Sequence, residues 1–432
     1  MPQLKYQRPT GTHDLYPGAE RWVDDSDRRA ALVETFRHLC RVYGYGEIRT
    51  PVFEATDLFT RSIGEGTDIV SKEMYTFTTK GGDSLTLRPE STAPVLRAFV
   101  ENGLHARGGV TKLFYVATHF RYERPTKGRY RQHEQLGVEA LGSDDPALDA
   151  EVIELALAFY RRIGISELTL KLNSVGSALS RAAYLTALKA HVEPHLGEFS
   201  EEGRARFAHN PLRMLDTKNA RELEILRAAP ALTEYLSDEE RAHFETLCRY
   251  LQDAGVPYDL DPYLVRGFDY YTKTAFEIQA PSIQTAQNAL GGGGRYNRLV
   301  SEIGGPNTPG IGFGLGIERT LLVLQEIGAD MPPAPGPVAF LVTQGERARP
   351  VGVRILAELR ASGISADTAY GASSMKAQLR AADRARARYA VILGDDEVAQ
   401  DVVQLKSLTG GWQHAVPVAE IAEWLSGGRA PS

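Results

Sequence analysis

The sequence predicts an α+β protein of two or three domains. Strand signals and short hairpins fill its first half; for example, MYTFTT and SLTLRP flank the turn residues Gly81-Gly82-Asp83. Hairpins of this kind disagree with a doubly wound sheet, in which helices separate the strands. The 432 residues exceed one ordinary core, and 43% hydrophobic with 24% charged residues is the balance of a globular chain.

Changes of pattern along the chain predict its domain organisation. Residues from about 172 to 258 are predominantly helical and charged, which indicates a helical module inserted into the first domain, 1–330. Residues 331–337, MPPAPGP, form a stiff linker. Beyond it, VAFLV, YAVILG and VVQLKSL alternate with helical segments. This alternation predicts a small α/β domain with a largely parallel sheet over 338–432.

Composition predicts the cellular location of the protein. No apolar run reaches the length of a membrane span, because ELALAFY at 154–160 is soon followed by Arg161 and Arg162. The segment MPQLKYQRPTGTHD lacks the apolar core of a signal peptide. Cys40 and Cys248 fit reduced thiols better than a disulfide framework or a metal cluster. We therefore expect a cytoplasmic protein with no membrane partner and no tightly bound structural metal.

The net charge of −6 argues against general electrostatic coating of nucleic acid but allows a local basic site. The segment RYERPTKGRYR at 121–131 holds five cationic side chains against the single Glu123. Pro125 and Gly128 make it a loop between two strand-like segments. Five cations on one loop repel each other unless an anion lies among them, and phosphate is the natural candidate. A solvated charge run is the alternative interpretation.

Two glycine-rich segments follow the helical module. GIGFGLG at 310–316 is not a dinucleotide fingerprint, because no pair of glycines two apart is followed by a third glycine three residues later. The pattern favours a strand that leads into a helix near Glu318. The four glycines at 291–294 by themselves indicate a loop, and the adjoining Arg295 and Tyr296 could lie beside a ligand.

These segments belong to a set of motifs that resembles class II aminoacyl-tRNA synthetases, and among them the histidyl-tRNA synthetase family. The resemblance covers nearly the whole chain. The matching segments are GTHDLYP at 11–17 (the opening motif), YGYGEIRTPVFE at 43–54 (motif 1), LRPEST at 87–92 and FRYERPTKGRYRQHEQLGVE at 120–139 (motif 2), NPLRMLDTK at 210–218 (helical insertion), LVRGFDYYTKTAFE at 264–277 and LGGGGRYNRL at 290–299 (histidine-specific motifs), GFGLGIERT at 312–320 (motif 3), and YAVILGDDE (anticodon-binding domain).

The resemblance implies a fold and an activity. The expected catalytic domain has an antiparallel sheet of six or seven strands flanked by helices, and it contains a helical insertion. A separate α/β anticodon-binding domain is expected to follow it at the C-terminal end. The implied activity is ATP-dependent conversion of L-histidine to histidyl-adenylate and transfer of the histidyl group to the 3′ end of tRNA(His). ATP with Mg²⁺ would be used, and motif 1, with Pro51, would form a homodimer.

The implied first step is attack of the histidine carboxylate on the α-phosphorus of ATP. A carboxylate with a pKa of about 3.5 is already ionised at neutral pH and needs no general base. Negative charge builds up on phosphate oxygens. Catalysis therefore depends on positioning and on fixed positive charge, which arginines supply.

The resemblance assigns these roles to individual residues. The catalytic residues it implies are Arg121, which holds the α-phosphate and the amino-acid carboxylate, and Arg266, a cation beside the α-phosphate. An isolated arginine is usually a surface or salt-bridged residue, but the surrounding RGFDYY favours the functional role. The ATP-binding set is Arg121, Glu123, Arg129 and Arg319. The histidine-binding set is Glu90, Thr92, Arg121, Gln135, Glu139, Arg266, Tyr270, Tyr271 and Tyr296.

Some positions depart from the family's commonest pattern. Ser91 stands where a glycine is usual, His133-Glu134 where Phe-His is common, and Asn297 where aspartate is common. These departures concern details of the ATP site and its loop.

An alternative function is that of a non-catalytic, synthetase-like regulatory subunit of histidine biosynthesis. Such proteins typically lack the C-terminal module and lose catalytic arginines, whereas this chain has residues 336–432 and Arg121, Arg266 and Arg319. A synthetase for proline, threonine or glycine is disfavoured by RGFDYY and the context of Glu139.

Overall fold

The computed structural model describes residues 6–64, 67, 69–265, 267–281, 288–331, 335–371 and 374–427. The Cα positions divide the chain into two compact units, Met1–Met331 and Pro332–Ser432. The division falls within the predicted linker, of which residues 332–334 lie outside the described residues.

The first unit alternates short strands with helices. Its strands are β1 (Gly46–Glu47), β2 (Phe53–Ala55), β3 (Tyr75–Thr78), β4 (Ser84–Leu87), β5 (Thr111–Phe120), β6 (Gln132–Leu141), β7 (Thr169–Ser174), β8 (Asp259–Leu260), β9 (Thr272–Gln279), β10 (Ala289–Arg295) and β11 (Gly310–Gly316). Its helices are α1 (Ser26–Val42), α2 (Thr56–Ile63), α3 (Thr92–Glu101), α4 (Pro146–Arg162), α5 (Ala178–Val192), α6 (Glu201–His209), α7 (Ala220–Arg227), α8 (Asp238–Asp253), α9 (Leu299–Glu302) and α10 (Ile317–Glu326).

The largest sheet runs in the spatial order β1-β5-β6-β11-β10-β9-β7-β8. Its six central strands, from β5 to β7, pair antiparallel. The two-residue strands β1 and β8 add parallel edges. The predicted antiparallel sheet is confirmed, with these two short edges added. A separate small sheet, β2-β4-β3, contains the predicted hairpin.

Glycines allow the central strands to approach closely. A Cβ on Gly293 would lie 1.9 Å from the carbonyl oxygen of Gly312 on the neighbouring strand. A Cβ on Gly137 would lie 2.2 Å from the ring of Tyr115. The interpretation of 291–294 as a loop was therefore wrong. These residues form most of β10, where a side chain would collide with the paired backbone.

The main core lies between the large sheet and helices α1, α4 and α8. Phe36 on α1 contacts the rings of Phe114, Phe159 and Phe313 edge to face, with centroids 5.5–6.4 Å apart. Leu247 on α8 belongs to the same cluster. The last helix of the predicted insertion thus packs on the catalytic sheet, and residues 172–174 at its predicted start belong to β7.

The second unit is a sheet covered by helices on both faces. Its strands are β12 (Ala339–Gln344), β13 (Ala366–Thr368), β14 (Tyr389–Gly394), β15 (Val402–Ser407) and β16 (Gln413–Pro417). They lie in the spatial order β13-β12-β14-β15-β16. Its helices are α11 (Ala348–Ala361), α12 (Met375–Arg384), α13 (Asp395–Ala399) and α14 (Ile421–Leu425).

The prediction of a largely parallel second sheet was wrong for half of its pairings. β12 pairs in parallel with β13 and β14, but β14, β15 and β16 pair antiparallel. Only the short helix α13 and a turn at Asp401 separate β14 from β15. A parallel pairing needs a crossover of a dozen residues or more, so this connection permits only an antiparallel one.

Across the described ranges, no helix combines the length and apolarity that a bilayer crossing requires.

A fully buried ion pair joins three elements behind the large sheet. The side chains of Asp149 on α4 and Arg295 on β10 are 0% exposed, and the Arg295 Nε lies 2.8 Å from Oδ1 of Asp149. His243 on α8 places its Nε2 2.9 Å from the Asp149 carboxylate. Arg295 also donates to the carbonyl oxygens of Ser143 and Asp145, so its guanidinium is satisfied on several sides.

We expect Asp149→Ala to lower the free energy of unfolding by about 3–5 kcal/mol, because it removes the fully buried partner of the Arg295 charge. The Asp144 carboxylate, 3.3 Å from Arg295, is 38% exposed and replaces that partner poorly. Urea unfolding followed by circular dichroism measures this loss. Asp259→Ala is the matched control, since it removes an exposed pair in which the Lys171 Nζ lies 3.0 Å from the carboxylate. We expect a change below about 1 kcal/mol there. Equal losses in the two variants would contradict the interpretation.

Candidate active site

A cavity of about 930 Å³ opens on the large sheet within the first unit. Its wall comes from the start of α3, the loop between β5 and β6, strands β10 and β11, the start of α10, and the helical segment around 200–219. The structure brings together most of the predicted site residues here: Glu90, Thr92, Arg121, Glu123, Arg129, Gln135, Tyr270, Tyr271, Tyr296 and Arg319 line the cavity. Arg266 lies outside the described residues.

The Glu90 side chain caps helix α3 from inside the cavity wall. Its carboxylate accepts hydrogen bonds from the backbone N–H of Thr92 at 2.5 Å and of Ala93 at 2.9 Å. The hydroxyl of Ser91, which directly precedes the helix, makes no capping hydrogen bond. Glu90 is 3% exposed, and this burial raises its pKa despite the two amide donors. A cationic group that enters the cavity therefore meets an incompletely compensated acidic residue.

Glu139 is a buried carboxylate behind the cavity lining. It sits on β6, is 1% exposed, and accepts hydrogen bonds from the hydroxyls of Thr92, at 2.8 Å, and Tyr296. Burial raises the pKa of Glu139 to about 8, while these two hydroxyl donors act against the shift. Gly312 on β11 makes room for the carboxylate, since a Cβ there would lie 2.1 Å from the Glu139 Oε2.

Aromatic rings form the wall next to these carboxylates. Tyr270 stacks on Phe268 with ring centroids 5.1 Å apart, touches Tyr271 at 4.7 Å, and meets Tyr296 edge to face at 5.9 Å. Burial raises the pKa of Tyr270 and of Tyr296 well above the ordinary value. Their hydroxyls remain protonated hydrogen-bond donors. Together with the nearby carboxyl groups, these hydroxyls suit a small polar ligand that carries both hydrogen-bond donors and acceptors.

Arginines gather at the other half of the cavity. Arg319, at the start of α10, donates to the carbonyl oxygens of Gly128 at 3.2 Å and Ala289 at 2.8 Å. Burial, together with the nearby Arg129 and Arg121, lowers the pKa of Arg319. The mutual repulsion of these guanidinium groups favours binding of an anion among them.

The loop that carries two of these arginines is itself held by hydrogen bonds. Arg121 Nε donates to the carbonyl oxygen of Pro89 at 2.9 Å, and its guanidinium lies over the ring of Phe268 at 5.9 Å. Arg129 pairs with Glu123 at 3.2 Å. The loop thus joins the carboxylate half of the cavity to the arginine half.

Three of the unusual residues at the predicted motifs, Ser91, Glu134 and Asn297, have polar side-chain partners. The Ser91 hydroxyl lies 2.7 Å from the Nε2 of the fully buried His119. Glu134 accepts from Arg29 at 2.6 Å, and Asn297 donates to Asp144 at 2.7 Å.

Sequence reasoning did not place some residues that line this cavity. They include His133 and Tyr130 of the motif 2 region and side chains of the helical segment. Only the resemblance of NPLRMLDTK to a family segment could have signalled the latter. The cavity residues from this segment are Ser200, Glu202, Arg206, Arg213, Asp216, Thr217, Lys218 and Asn219.

Comparison with known proteins identifies the family. The family model described as histidyl-tRNA synthetase matches residues 13–320, and that of the anticodon binding domain matches residues 338–427. A histidine–tRNA ligase from Desulforudis audaxviator is 51% identical over 419 residues, covering 97% of this chain and 98% of that protein. One from Bacillus velezensis is 47% identical over 424 residues, covering 98% and 99%.

The crystal structure of apo S. aureus histidyl-tRNA synthetase has the same fold, with a TM-score of 0.82 and 38% identity, covering 97% of this chain and 99% of that one. The chain belongs to the histidyl-tRNA synthetase family.

Proposed function

We propose that this chain activates L-histidine with ATP to form histidyl-adenylate and then transfers the histidyl group to tRNA(His). The observation that carries the proposal is the division of one cavity into two halves. Buried carboxyl and tyrosine groups form one half, and arginines form the other. An amino acid needs the carboxyl and tyrosine groups and a nucleoside triphosphate needs the arginines, and their reaction needs the two sites side by side.

The carboxyl half would bind histidine. Glu90, with Thr92 and Gln135, would hold the α-amino group, because a buried acidic residue favours an ammonium partner. Glu139 and Tyr271 would bind the imidazole nitrogens, with Tyr296 and Tyr270 beside the ring. A site built from paired polar groups rejects apolar amino acids of similar size, since they would leave those groups buried without partners.

The arginine half would bind ATP. Arg121 would hold the α-phosphate and the histidine carboxylate, Arg319 the γ-phosphate, and Glu123 the adenine amino group, with Arg129 as a further contact. A histidine carboxylate oxygen attacks the α-phosphorus, and the bond to the pyrophosphate oxygen breaks. The fixed arginines stabilise the charge that develops, and no general base is required. The role of Arg266 beside the α-phosphate rests on the resemblance of its motif.

Mg²⁺ would enter with ATP. The described residues contain no group of three or more His, Cys, Asp or Glu that could hold a metal ion by itself. Glu277 lines the cavity, and Mg²⁺ at nucleotide sites binds one or two carboxylates together with phosphate oxygens. Glu277 would therefore hold the ion with the phosphates, and the bound ion would supply charge neutralisation there.

The transfer step would place the 3′-terminal adenosine of tRNA(His) at the same cavity, with the second unit as its anticodon-binding domain. The regulatory alternative is disfavoured, because family matches cover both units and the arginine cluster is present. We place the reaction in the cytoplasm, since Cys40 and Cys248 are both free thiols.

ATP–pyrophosphate exchange tests the activation step. Among the twenty amino acids, we expect exchange with histidine alone. We expect Arg266→Ala to lower it about 10²–10³-fold, the usual cost of removing one group that stabilises transition-state charge. Arg354→Ala, which alters an exposed arginine of the second unit, is the control. A folded protein that exchanges with no amino acid would refute the proposal and support the regulatory alternative.

Glu139 makes histidine use depend on pH. With a pKa of about 8, its carboxyl group carries a proton at neutral pH, and a neutral imidazole that binds then shares this proton. Below about pH 6.5 the imidazole of free histidine is itself protonated. It then brings a second proton to a contact with Glu139 that holds one shared proton. Above about pH 8 the carboxyl proton is lost. We therefore expect kcat/KM for histidine to be bell-shaped, with limbs near these two values.

Glu139→Gln is the matched variant, because it keeps the shape of the side chain and removes its ionisation. We expect kcat/KM for histidine to fall about tenfold to a hundredfold, because a buried imidazole nitrogen that loses its hydrogen-bond partner costs about 1–3 kcal/mol. The acid limb should remain and the alkaline limb should disappear. An unchanged alkaline limb in this variant would assign it to another group.

We also infer a homodimer that forms through the segment 43–60. Val52, Phe53 and Phe77 in and beside the small sheet are 46%, 45% and 43% exposed. The rings of Phe53 and Phe77 meet edge to face with centroids 6.4 Å apart. A cluster of exposed apolar side chains is typical of an interface.

Phe53→Glu should convert the dimer to a monomer in sedimentation experiments and abolish exchange, because a charge would be buried in the interface without a partner. Val353→Glu is the control, as it charges a side chain that is 64% exposed in the second unit. A Phe53→Glu protein that remains a dimer, or a fully active monomer, would overturn this inference.

A further inference from the structure

The opening motif, GTHDLYP at 11–17, has no role in the proposed reaction, yet it touches the loop that carries the ATP-binding arginines. The carbonyl oxygen of Gly11 accepts hydrogen bonds from the backbone N–H of Arg131 at 2.8 Å and of Gln132 at 3.4 Å. These bonds hold the point at which the loop 121–131 enters strand β6.

A second contact lies two residues further along the motif. The ring of His13 stacks on the ring of Tyr130, with centroids 4.7 Å apart and an interplanar angle of 18°. Tyr130 lines the cavity next to Arg129. The side chain of His13 is only 7% exposed, so the stacked pair is shielded from water on the histidine side. Aromatic stacking therefore ties the motif to the cavity face of the loop.

The His13 ring is itself anchored. Its Nδ1 lies 3.0 Å from an oxygen of Asp24, whose side chain is 9% exposed. Burial and the nearby Arg29 lower the pKa of His13, so the ring is neutral and its Nδ1–H donates to the carboxylate. Backbone hydrogen bonds between Tyr16 and Asp24, at 3.0 Å, and between Ser26 and Tyr16, at 3.2 Å, attach the motif to the start of α1. The orientation of the His13 ring is thus fixed by its bond to Asp24, which lies just before α1.

Gly11 has little room for any other residue. Its φ is +84°, which L-residues with a Cβ rarely adopt, and a Cβ would lie 2.8 Å from the Cγ of Arg131. The close backbone approach between motif and loop therefore needs glycine at this position.

We propose that Gly11 and His13 are positioning residues that hold the loop 121–131 in the conformation that binds ATP. The contacts run from α1 through Asp24 and His13 to Tyr130 and so to the loop arginines. The proposal rests on the assignment of ATP to the arginine half of the cavity. A loop that is ordered before ATP arrives binds it more tightly, because the apparent dissociation constant rises as the competent fraction falls.

The test compares His13→Ala with two further variants of the full chain. His13→Phe keeps the stacked ring and loses the bond to Asp24. Thr12→Ala is the control, because it alters the same segment at a hydroxyl that donates to the carbonyl oxygen of Pro9, at 2.8 Å, within that segment. Three quantities are measured: KM for ATP and for histidine in pyrophosphate exchange, amide hydrogen exchange of the peptides that contain 121–131, and the melting temperature.

We expect His13→Ala to raise KM for ATP about threefold to tenfold, the loss expected for one aromatic pair, and to leave KM for histidine within about twofold. Amides of the loop should exchange faster. His13→Phe, which keeps the stacked ring without the bond to Asp24, should recover part of both effects, and Thr12→Ala should change neither. A lower melting temperature with unchanged KM for ATP and unchanged loop exchange would overturn the proposal, because it would show a role in stability alone.

A double-mutant cycle with Tyr130→Ala provides a second test that does not depend on one variant. If the two rings act through each other, the double variant should raise KM for ATP no more than the larger single effect does. If the increase in KM for ATP in the double variant equals the product of the two single increases, the rings are not coupled and this part of the proposal is refuted. The loop exchange of the protein without ligands separates this proposal from the assigned activity. A wild-type chain inactive with every amino acid would refute the activity, whereas faster loop exchange in His13→Ala would still support the positioning role.

Discussion

Close approach of three backbones at the centre of the large sheet makes room for the active-site cavity. Where β6, β11 and β10 lie side by side, glycine occupies the positions at which a side chain would fill the space. A Cβ on Gly312 would meet the Glu139 carboxylate at 2.1 Å, and one on Gly314 would meet the Gln135 amide oxygen at 3.0 Å. The glycines lower strand stability. In exchange they leave space at the sheet for the polar side chains of Gln135, which lines the cavity, and of Glu139, which lies behind its lining.

This arrangement explains why acidic groups can sit so deep in the molecule. Glu139 and Glu90 are 1% and 3% exposed, and burial alone would strongly disfavour their ionised forms. Hydroxyl and amide donors compensate each carboxyl group in part, which leaves raised pKa values rather than unfolding. A ligand with N–H groups completes the missing hydrogen bonds. In the proposed reaction, histidine binding would therefore also relieve the buried acid.

The two halves of the cavity depend on different scaffolds. The carboxyl half is built on strands and on the first turn of α3, where packing sets each side chain within the core. The arginine half draws on a loop, which strand pairing does not hold. Instead, the arginines there donate hydrogen bonds to backbone carbonyl oxygens: Arg121 to Pro89, Arg319 to Gly128, and the Arg131 N–H to Gly11. The proposed ATP site can be built on a loop, because guanidinium groups present several N–H donors to a phosphate ligand.

The α+β class, the antiparallel hairpin and the family could all be predicted from the sequence alone. These features depend on local periodicity, on turn residues and on motifs whose spacing is read along the chain. The three-dimensional structure was needed to show that 291–294 is a strand, that the Glu90 carboxylate caps α3, and that half of the second sheet pairs antiparallel. It also decided that Glu139 is buried and that His13 stacks on Tyr130. Burial and stacking depend on residues more than a hundred positions apart, and local propensity carries no information about such contacts.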